Sequence, residues 1–289
     1  MSSALAFAEP LPGISPSVYG PADFKAISEI VYSQAGIVLP DGKSMLVYSR
    51  LAPMVRASNC STFANYVELI RKDTAEQARA VAALTTNHTY FYRESHHFEH
   101  FEQELRPNLL RRLAAGDRLR IWSAGCSSGE ETWSLAMTLL GPDRAEGRRI
   151  ASQDLRLLAS DLAPHALKAA SQASYATKDV EAVPQALRQT WTRDANGTST
   201  MTDELRSFVR FRLLNLLGEW PMKGRFDVIF CRNVMIYFDN PTKEKLVSRF
   251  AGALAPGGYL YIGHSERVTG PAAEQFQVAG PTIYRRTQA

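Results

Sequence analysis

The chain has 289 residues, 45% of them hydrophobic, which is enough to bury one large core or two modest ones. No apolar run approaches the roughly 20 residues of a membrane span, and no charged region precedes an apolar segment at the N-terminus, so we expect a soluble, cytoplasmic protein without membrane insertion. The 33 basic and 29 acidic residues nearly balance, and no dense basic stripe with interleaved aromatic residues indicates nucleic-acid binding. Three scattered cysteines are too few for a disulfide framework or a zinc cluster.

The first part of the chain predicts a tail and a helical domain. Residues 1–21 contain four prolines and few charges, which is typical of a flexible tail. From residue 22 to residue 84 the apolar residues recur at helical spacing, and this pattern predicts a small domain of about four short helices.

Basic residues stand out within this helical domain. Lys43, Arg50 and Arg56 occur in a stretch without acidic residues, and Lys43 and Arg50 are spaced to share a helix face. Such a face is a candidate docking surface for an acidic helical partner, with an ordinary solvated face as an equal alternative. Pro53 should kink or end this helix.

Residues 85–93 run from polar residues into three consecutive aromatic residues and an arginine, without a clear period. Such a segment is typical of a loop that folds over a ligand. His96 and His100 follow at a spacing compatible with metal chelation, but no matching pair of ligands occurs elsewhere. We therefore predict no metal and a surface or packing role for these histidines.

The most informative stretch spans residues 119–140 and predicts a strand, a glycine turn and a helix. A dinucleotide loop would read GxGxxG, whereas here only Gly125 and Gly129 are present and Glu130 and Glu131 occupy the first helical turn. Two carboxylates suit the helix dipole but would repel a phosphate. A ligand with a positive centre and sugar hydroxyls, such as S-adenosylmethionine, fits better, with an ordinary capped strand-turn-helix and exposed glutamates as an equal alternative.

The next segments predict a second strand and an insertion. After a polar loop at residues 141–154, a strand ends in Asp161, where an acid can hold ribose hydroxyls or cap the next helix. Residues 175–212 break the alternation of strand and helix, and they predict a small antiparallel hairpin built from residues 191–193 and 208–211 with a helical piece. Its exposed edge is either a site for strand addition by a peptide or plain decoration.

Residues 226–238, FDVIFCRNVMIYF, predict a buried strand with Arg232 and Asn233 at its carboxyl end, where open α/β sheets place ligands. A helix at 243–254, a strand at 259–262 and a closing hairpin around Gly280 follow. Cys126 and Cys231 come after neighbouring strands, which indicates small-residue packing, with a redox-sensitive pair as a weaker hypothesis.

Taken together, these segments resemble the chemotaxis receptor methyltransferases, the CheR-type protein-glutamate O-methyltransferases. The likeness lies in LTTNHTYFYRE (84–94), WSAGCSSGEE (122–131), ASDL (159–162), and FDVIFCRNVMIYF followed by APGGYLYIGHSE. It implies an α/β, class I S-adenosylmethionine-dependent methyltransferase with a Rossmann-like, seven-stranded sheet, an N-terminal all-helical domain and a small inserted antiparallel β-subdomain. The implied divisions are a flexible tail at 1–21, a helical domain at 22–84, a linker contributing to the cofactor site at 85–98, and a catalytic domain at 99–289 with the insertion at 174–212.

The resemblance also implies site residues and partners. Arg93 and Tyr237 would border the methyl group. S-adenosylmethionine, with S-adenosylhomocysteine as product and no metal, would contact Asn87, Thr89, Arg93, Gly125, Glu130, Asp161, Asn215, Leu216, Arg232 and Asn233. A monomer would act on the cytoplasmic helical domain of receptors and recognise a receptor C-terminal peptide, with Lys43, Arg50 and Arg56 docking the receptor. This basic set is smaller than is usual in the family, and the insertion is short.

The implied chemistry needs no general base, because a glutamate acceptor with an unperturbed pKa of about 4.3 is already ionised at neutral pH. No His-Asp or Ser-His pair is evident. Two alternatives stay open at this point. A nucleic-acid methyltransferase on the same fold would commonly carry a (D/N/S)PPY segment at residues 232–237, and a non-catalytic module could sense S-adenosylmethionine on a receptor array.

Overall fold

The computed structural model describes residues 14–287, so most of the tail expected at residues 1–21 lies outside the described residues. The chain divides into two compact units. Among the described residues, one contains residues 14–86 together with Tyr237–Thr242, and the other contains Asn87–Ile236 together with residues 243–287.

The first unit is helical, and the prediction of about four short helices is confirmed. Its helices are α1 (Pro21–Ala35), α2 (Ser44–Ala57), α3 (Phe63–Lys72) and α4 (Thr74–Leu84), with a 3₁₀ turn at Asp41–Lys43. Local sequence sets their ends: the side chains of Thr62 and Asp73 accept backbone hydrogen bonds at the starts of α3 and α4, and α1 ends at Gly36 in the left-handed region.

Two expectations about α2 are wrong. The helix runs through Pro53 without ending, because Leu51, Ala52 and Val55 on either side of the exposed proline are buried and their packing holds the helix. Lys43 belongs to the 3₁₀ turn before α2, so it does not share a continuous α-helix with Arg50.

The second unit is an α/β unit, and the predicted fold class is confirmed. Its strands are β1 (Leu119–Ala124), β2 (Leu155–Asp161), β3 (Ser174–Ala176), β4 (Thr192–Ala195), β5 (Thr198–Met201), β6 (Val209–Leu213), β7 (Phe226–Cys231), β8 (Leu254–Ile262), β9 (Phe276–Gly280) and β10 (Ile283–Arg286). Its helices are α5 (His96–His100), continued by a π-helical turn at Phe101–Leu105, α6 (Arg106–Ala114), α7 (Glu130–Leu140), α8 (Arg144–Ala151), α9 (Pro164–Gln172), α10 (Gln185–Trp191), α11 (Asp203–Arg206) and α12 (Asn240–Ala253).

Seven strands form one sheet in the order β6-β2-β1-β7-β8-β10-β9, parallel from β6 to β8, with β10 antiparallel to both β8 and β9. Strand β7 is buried along its whole length, which explains its apolar residues, and its one charged residue, Asp227, pairs with Arg112 at 2.7 Å. The chain order reverses between the neighbouring strands β1 and β7. The crevice outside the carboxyl ends of a parallel sheet at such a switch point is where open α/β sheets bind ligands.

Two details of the central region differ from expectation. Residues 208–211 do not complete the small hairpin, because β6 pairs in parallel with β2 in the large sheet, and the separate three-stranded sheet has the order β3-β5-β4. The range 174–212 therefore includes a strand of the large sheet.

The segment at 141–154 contains α8, whose buried Ile150 packs into the core and whose N-cap is Asp143. The closing hairpin around Gly280 is confirmed by β9 and β10.

None of the helices within residues 14–287 combines the length and apolar character needed to span a bilayer.

Candidate functional site

The glycine turn after β1 contains two positions that favour glycine. Gly125 and Gly129 have φ values of 83° and 97°, in the left-handed region. A Cβ at Gly125 would lie 2.4 Å from Cγ2 of Val234, so the bare backbone lets this turn approach the loop after β7. The backbone N–H groups of Gly125 and Cys126 donate to the carbonyl oxygen of Ser160, which joins the turn to β2.

Asp161, at the end of β2, is buried and holds two loops together. Its Oδ2 accepts a 2.8 Å bond from the N–H of Ser127 in the glycine turn, and its Oδ1 accepts a 2.9 Å bond from the N–H of Ala163. Burial raises the pKa of Asp161, although these backbone bonds oppose the shift. Asp161 is not the N-cap of α9, which is Ala163, so the alternative capping role is wrong, although the carboxylate accepts a bond from the N–H of that residue. Each carboxylate oxygen can accept a further bond.

The two glutamates after the glycine turn differ in environment, and neither is exposed, contrary to the alternative of an ordinary turn with exposed glutamates. Glu131 is buried, and its Oε1 accepts a 2.7 Å bond from the hydroxyl of Ser123. Glu130 is half-buried and accepts bonds of 3.0 and 2.7 Å from the hydroxyl of Ser128. Burial raises the pKa of both carboxyls.

Arg232, at the end of β7, is buried between two carboxylates. Its guanidinium lies 3.2 Å from Oε2 of Glu131 and 3.3 Å from Oε2 of Glu94, and it also donates to the carbonyl oxygen of Arg93. We call Glu94, Glu131 and Arg232 the Arg232 cluster. The sequence predicted Arg232 at the site but not its pairing with Glu94 and Glu131. The one indication in the sequence was that these glutamates are neighbours of the predicted site residues Arg93 and Glu130.

Another buried carboxylate, in the loop after β8, shapes the loop after β7. Glu266 accepts bonds from the backbone N–H groups of Asn233, Ile236 and Gly263, at 3.0, 3.2 and 2.5 Å. Burial raises its pKa, and these bonds oppose the shift. Asn233 has a φ of 59°, so Glu266 holds the loop in a conformation that is costly for a non-glycine residue. No pattern in the sequence indicated this role of Glu266.

The segment at 85–98 reaches the glycine turn. The hydroxyl of Ser127 donates a 3.0 Å bond to the carbonyl oxygen of Asn87, and the Asn87 amide lies 3.2 Å from Nε2 of His165. Nη1 of Arg93 donates a 2.9 Å bond to the carbonyl oxygen of His88, and Thr89 is half-buried. The backbone of the predicted ligand loop is therefore tied to the turn after β1.

A tyrosine from the three-stranded sheet, also missed, contacts this turn. The hydroxyl of Tyr175 on β3 donates a 2.7 Å bond to the carbonyl oxygen of Ser128, and its ring makes an edge contact with Phe91 at 5.0 Å.

Asn215 and Leu216 form a turn after β6. Oδ1 of Asn215 accepts a 2.9 Å bond from the N–H of Leu217, and the carbonyl oxygen of Leu216 accepts a 3.1 Å bond from the indole of Trp220. The Arg249 guanidinium lies 4.0 Å from the centre of the Trp220 ring and also donates to this carbonyl. The turn is thus shaped by α12.

The remaining predicted residues lie in the first unit. The carbonyl oxygen of Tyr237 accepts a 2.9 Å bond from the N–H of Val38. Lys43 and Arg56 are exposed. Arg50 is half-buried, and its Nη1 donates to the carbonyl oxygens of Leu84 and Thr85 at 3.0 and 2.7 Å, so its charge stabilises the end of α4.

His97, His100, Cys126 and Cys231 have packing roles in the second unit. Nε2 of His97 lies 2.8 Å from the hydroxyl of Thr282, and Nδ1 of His100 lies 2.9 Å from that of Tyr261. Burial raises the pKa of the Cys126 and Cys231 thiols well above the ordinary value, which disfavours the reactive thiolate.

Comparison with known proteins identifies the family. The description "CheR methyltransferase, all-alpha domain" matches residues 22–85, and "CheR methyltransferase, SAM binding domain" matches residues 87–285. A probable chemotaxis protein methyltransferase of Rhizobium etli is 43% identical over 89% of this chain and 97% of its own. Chemotaxis protein methyltransferase 2 of Pseudomonas aeruginosa is 38% identical over 92% and 93%, and the Escherichia coli chemotaxis protein methyltransferase is 36% identical over 91% and 90%. The chain therefore belongs to the CheR methyltransferase family, and it is an S-adenosylmethionine-dependent methyltransferase.

Proposed function

We propose that this chain transfers the methyl group of S-adenosylmethionine to glutamate side chains of chemotaxis receptors, giving glutamate methyl esters and S-adenosylhomocysteine. Support comes from the relatives, which are named chemotaxis protein methyltransferases. The observation that carries the proposal is the excess of buried negative charge at the carboxyl edge of the sheet. Five carboxylates lie there with one buried guanidinium among the described residues: Glu94, Glu130, Glu131, Asp161, Glu266 and Arg232.

This charge balance fits a cationic methyl donor better than a phosphate. Burial raises the pKa of Glu130, Glu131 and Asp161, and of these three only Glu131 pairs with a guanidinium among the described residues. A sulfonium and an ammonium would supply compensating charge, whereas a phosphate would add to the repulsion. Gly125 also fits, because a side chain there would collide with Val234.

We assign the donor contacts residue by residue, as the family resemblance implies. Asn87, Thr89 and Arg93 would contact it from the linker, Glu130 near its methionyl part, and Asp161 at its ribose. Asn215 and Leu216 would lie at the adenine, and Arg232 with Asn233 at the reacting end, while Gly125 would allow close approach of the backbone. We infer no metal.

The mechanism requires positioning rather than proton transfer. The donor supplies a methyl carbon on a sulfonium sulfur, and the acceptor carboxylate is already ionised at neutral pH, its unperturbed pKa being about 4.3. The protein must hold the acceptor in line and exclude water. We assign to Arg93 and to Tyr237 the hydrogen bonding of the acceptor's second oxygen. A guanidinium has five N–H donors, so the bond from Arg93 to His88 leaves donors for this role.

We further propose the domain roles and partners. Residues 22–84 would dock the cytoplasmic helical domain of receptors through Lys43, Arg50 and Arg56, and residues 85–98 would link this domain to the catalytic residues 99–289. The three-stranded sheet would recruit a receptor C-terminal peptide, since β4 is an edge strand that pairs only with β5 among the described strands. The protein would act in the cytoplasm as a monomer.

The test is methyl transfer from radiolabelled donor to receptor membranes. We expect label in the receptor that alkali releases as methanol, because a carboxyl methyl ester hydrolyses in alkali and an N-methyl group does not. The Arg93→Ala variant serves as a matched control. Label on nitrogen or nucleic acid would contradict the proposal, and so would binding of the donor without any transfer.

A further inference from the structure

We propose that Glu94 is a positioning residue for methyl transfer, because its carboxylate joins the loops after β7 and β8 to the segment that carries Arg93. The kinetic part of this proposal rests on the proposed function, whereas the ordering of the segment does not.

The contacts of Glu94 reach three separate parts of the chain. Its Oε1 accepts bonds from Nδ2 of Asn233 at 3.2 Å and pairs with Nδ1 of His264 at 2.9 Å. Its Oε2 lies 3.3 Å from Nη2 of Arg232 and 3.5 Å from Nδ1 of His97. The side chain of Glu94 is only 11% exposed, so water screens these charges weakly.

One of these partners also reaches the backbone of Arg93. The Arg232 guanidinium donates to the carbonyl oxygen of Arg93 while it pairs with the carboxylate of Glu94. Burial would raise the pKa of Glu94, but the bond from His264 and the charge of Arg232 outweigh it and lower the pKa to about 2. The carboxylate is therefore ionised throughout the neutral range, and its link to Arg232 persists there.

Backbone geometry shows why such an anchor is needed. Tyr92 and Glu94, on either side of Arg93, have φ values of 55° and 58°, which non-glycine residues adopt only when their surroundings impose them. Tyr92 is held by α7, since its N–H donates a 3.0 Å bond to the hydroxyl of Ser134. The contacts of Glu94 supply the corresponding anchor on the other side. Arg93 thus lies between two left-handed residues, one tied to α7 and the other to the loops after β7 and β8.

The charge of Glu94 is essential to this arrangement, and its shape alone is insufficient. A glutamine would keep one acceptor oxygen for Asn233 and His264, but it would lose the ion pair and direct an amide donor toward the Arg232 guanidinium. Arg232 would then lose one of its two carboxylate partners, and its bond to the carbonyl oxygen of Arg93 would be held less firmly.

The test compares Glu94→Gln with wild type and with the control Glu99→Gln, an exposed glutamate on α5. Hydrogen exchange of the ligand-free protein should accelerate at least about tenfold at residues 88–95 and 232–236, with β1 and β7 unchanged. Turnover in methyl transfer should fall about 100-fold, the order expected for a small misplacement of a reacting group, while S-adenosylhomocysteine affinity by calorimetry changes less than about threefold. Glu99→Gln should match wild type in all three.

His264→Ala provides a milder second variant, because His264 is exposed and its removal leaves the Glu94 to Arg232 pair in place. His264→Ala should also accelerate hydrogen exchange at residues 88–95 and lower turnover, but by less than Glu94→Gln does. Unchanged exchange at 88–95 in Glu94→Gln would overturn the proposal, and so would an equal loss of turnover and S-adenosylhomocysteine affinity. If exchange at residues 88–95 is faster in Glu94→Gln but the wild type makes no methyl ester, the proposed function is overturned and the anchoring of Arg93 is supported.

Discussion

The guanidinium of Arg232 pairs with the carboxylate of Glu131 at 3.2 Å, and both side chains are almost completely removed from water. The pair joins the end of β7 to the first turn of α7, and the hydroxyl of Ser123 on β1 donates to the same carboxylate. Such a pair contributes little net stability compared with an apolar replacement of both groups, but breaking it leaves a charge buried without its partner. The pair instead helps to fix the spacing between the ends of β1 and β7 at the switch point.

Removal of Arg232 should therefore destabilise the second unit. We expect Arg232→Met to lower the free energy of unfolding by about 3–5 kcal/mol, because Glu131 and Glu94 would both keep buried carboxylates without the cation. Urea denaturation followed by far-ultraviolet circular dichroism measures this. Arg118→Met, at an exposed arginine, is the control and should change little. Equal stability of the two variants would contradict the assigned role of the buried pair.

The glycine turn should resist even the smallest side chain. Gly125→Ala would place a Cβ 2.4 Å from Cγ2 of Val234 at a φ of 83°, so we expect a loss of about 1–3 kcal/mol in the free energy of unfolding. Adding Val234→Ala removes the collision but leaves the backbone strain. The double variant should recover part of the loss, and no recovery would show that the contact with Val234 is unimportant.

His97 should make stability depend on pH. Burial, together with the charges of Arg232 and His96, lowers its pKa from 6.5 to about 3. Between these values the unfolded chain binds a proton that the folded protein does not, so this contribution is present above pH 6.5 and is lost as the pH falls toward 3. The slope of unfolding free energy against pH between pH 4 and 6 should fall by up to about 1.4 kcal/mol per pH unit in His97→Gln. Above pH 7.5 the slopes of variant and wild type should coincide, and identical slopes at pH 4–6 would refute the assignment.

Arg93 and Tyr237 should matter more for turnover than for donor binding. If each bonds the acceptor carboxylate, Arg93→Ala and Tyr237→Phe remove positioning that acts on the acceptor, and turnover should fall about 100-fold. The dissociation constant of S-adenosylhomocysteine should change less, with Arg93→Ala affected more than Tyr237→Phe because Arg93 is also assigned a donor contact. Radiolabel transfer and calorimetry provide the two measurements. Wild-type turnover in either variant would remove that residue from the mechanism.

The parts of the site that sequence predicted lie where strands end. Asp161, Arg232 and the turn at Gly125 each follow a recognisable apolar strand, and parallel strands bring their carboxyl ends to one edge. Their proximity therefore followed from the order of strands and helices alone. The residues that sequence missed act across that edge: Glu94, Glu266 and Tyr175 bond to groups far away in the chain.

The same distinction explains the errors in the fold. Pro53 was expected to kink or end α2, which continues through it, and residues 208–211 were expected to belong to the small sheet. Both expectations used local preference, whereas burial of the flanking face decided the first and pairing with β2 decided the second.

By itself, the sequence determined the succession of helices and strands, the glycine turn, the family and the positions of the acidic and basic residues, because periodicity and local backbone chemistry act within a few residues of each other. Only the tertiary structure decided which of those charges are buried and with whom they pair. Arg232 and Glu131 are 101 positions apart, and their ion pair exists because two adjacent strands place them at the same edge, out of contact with water.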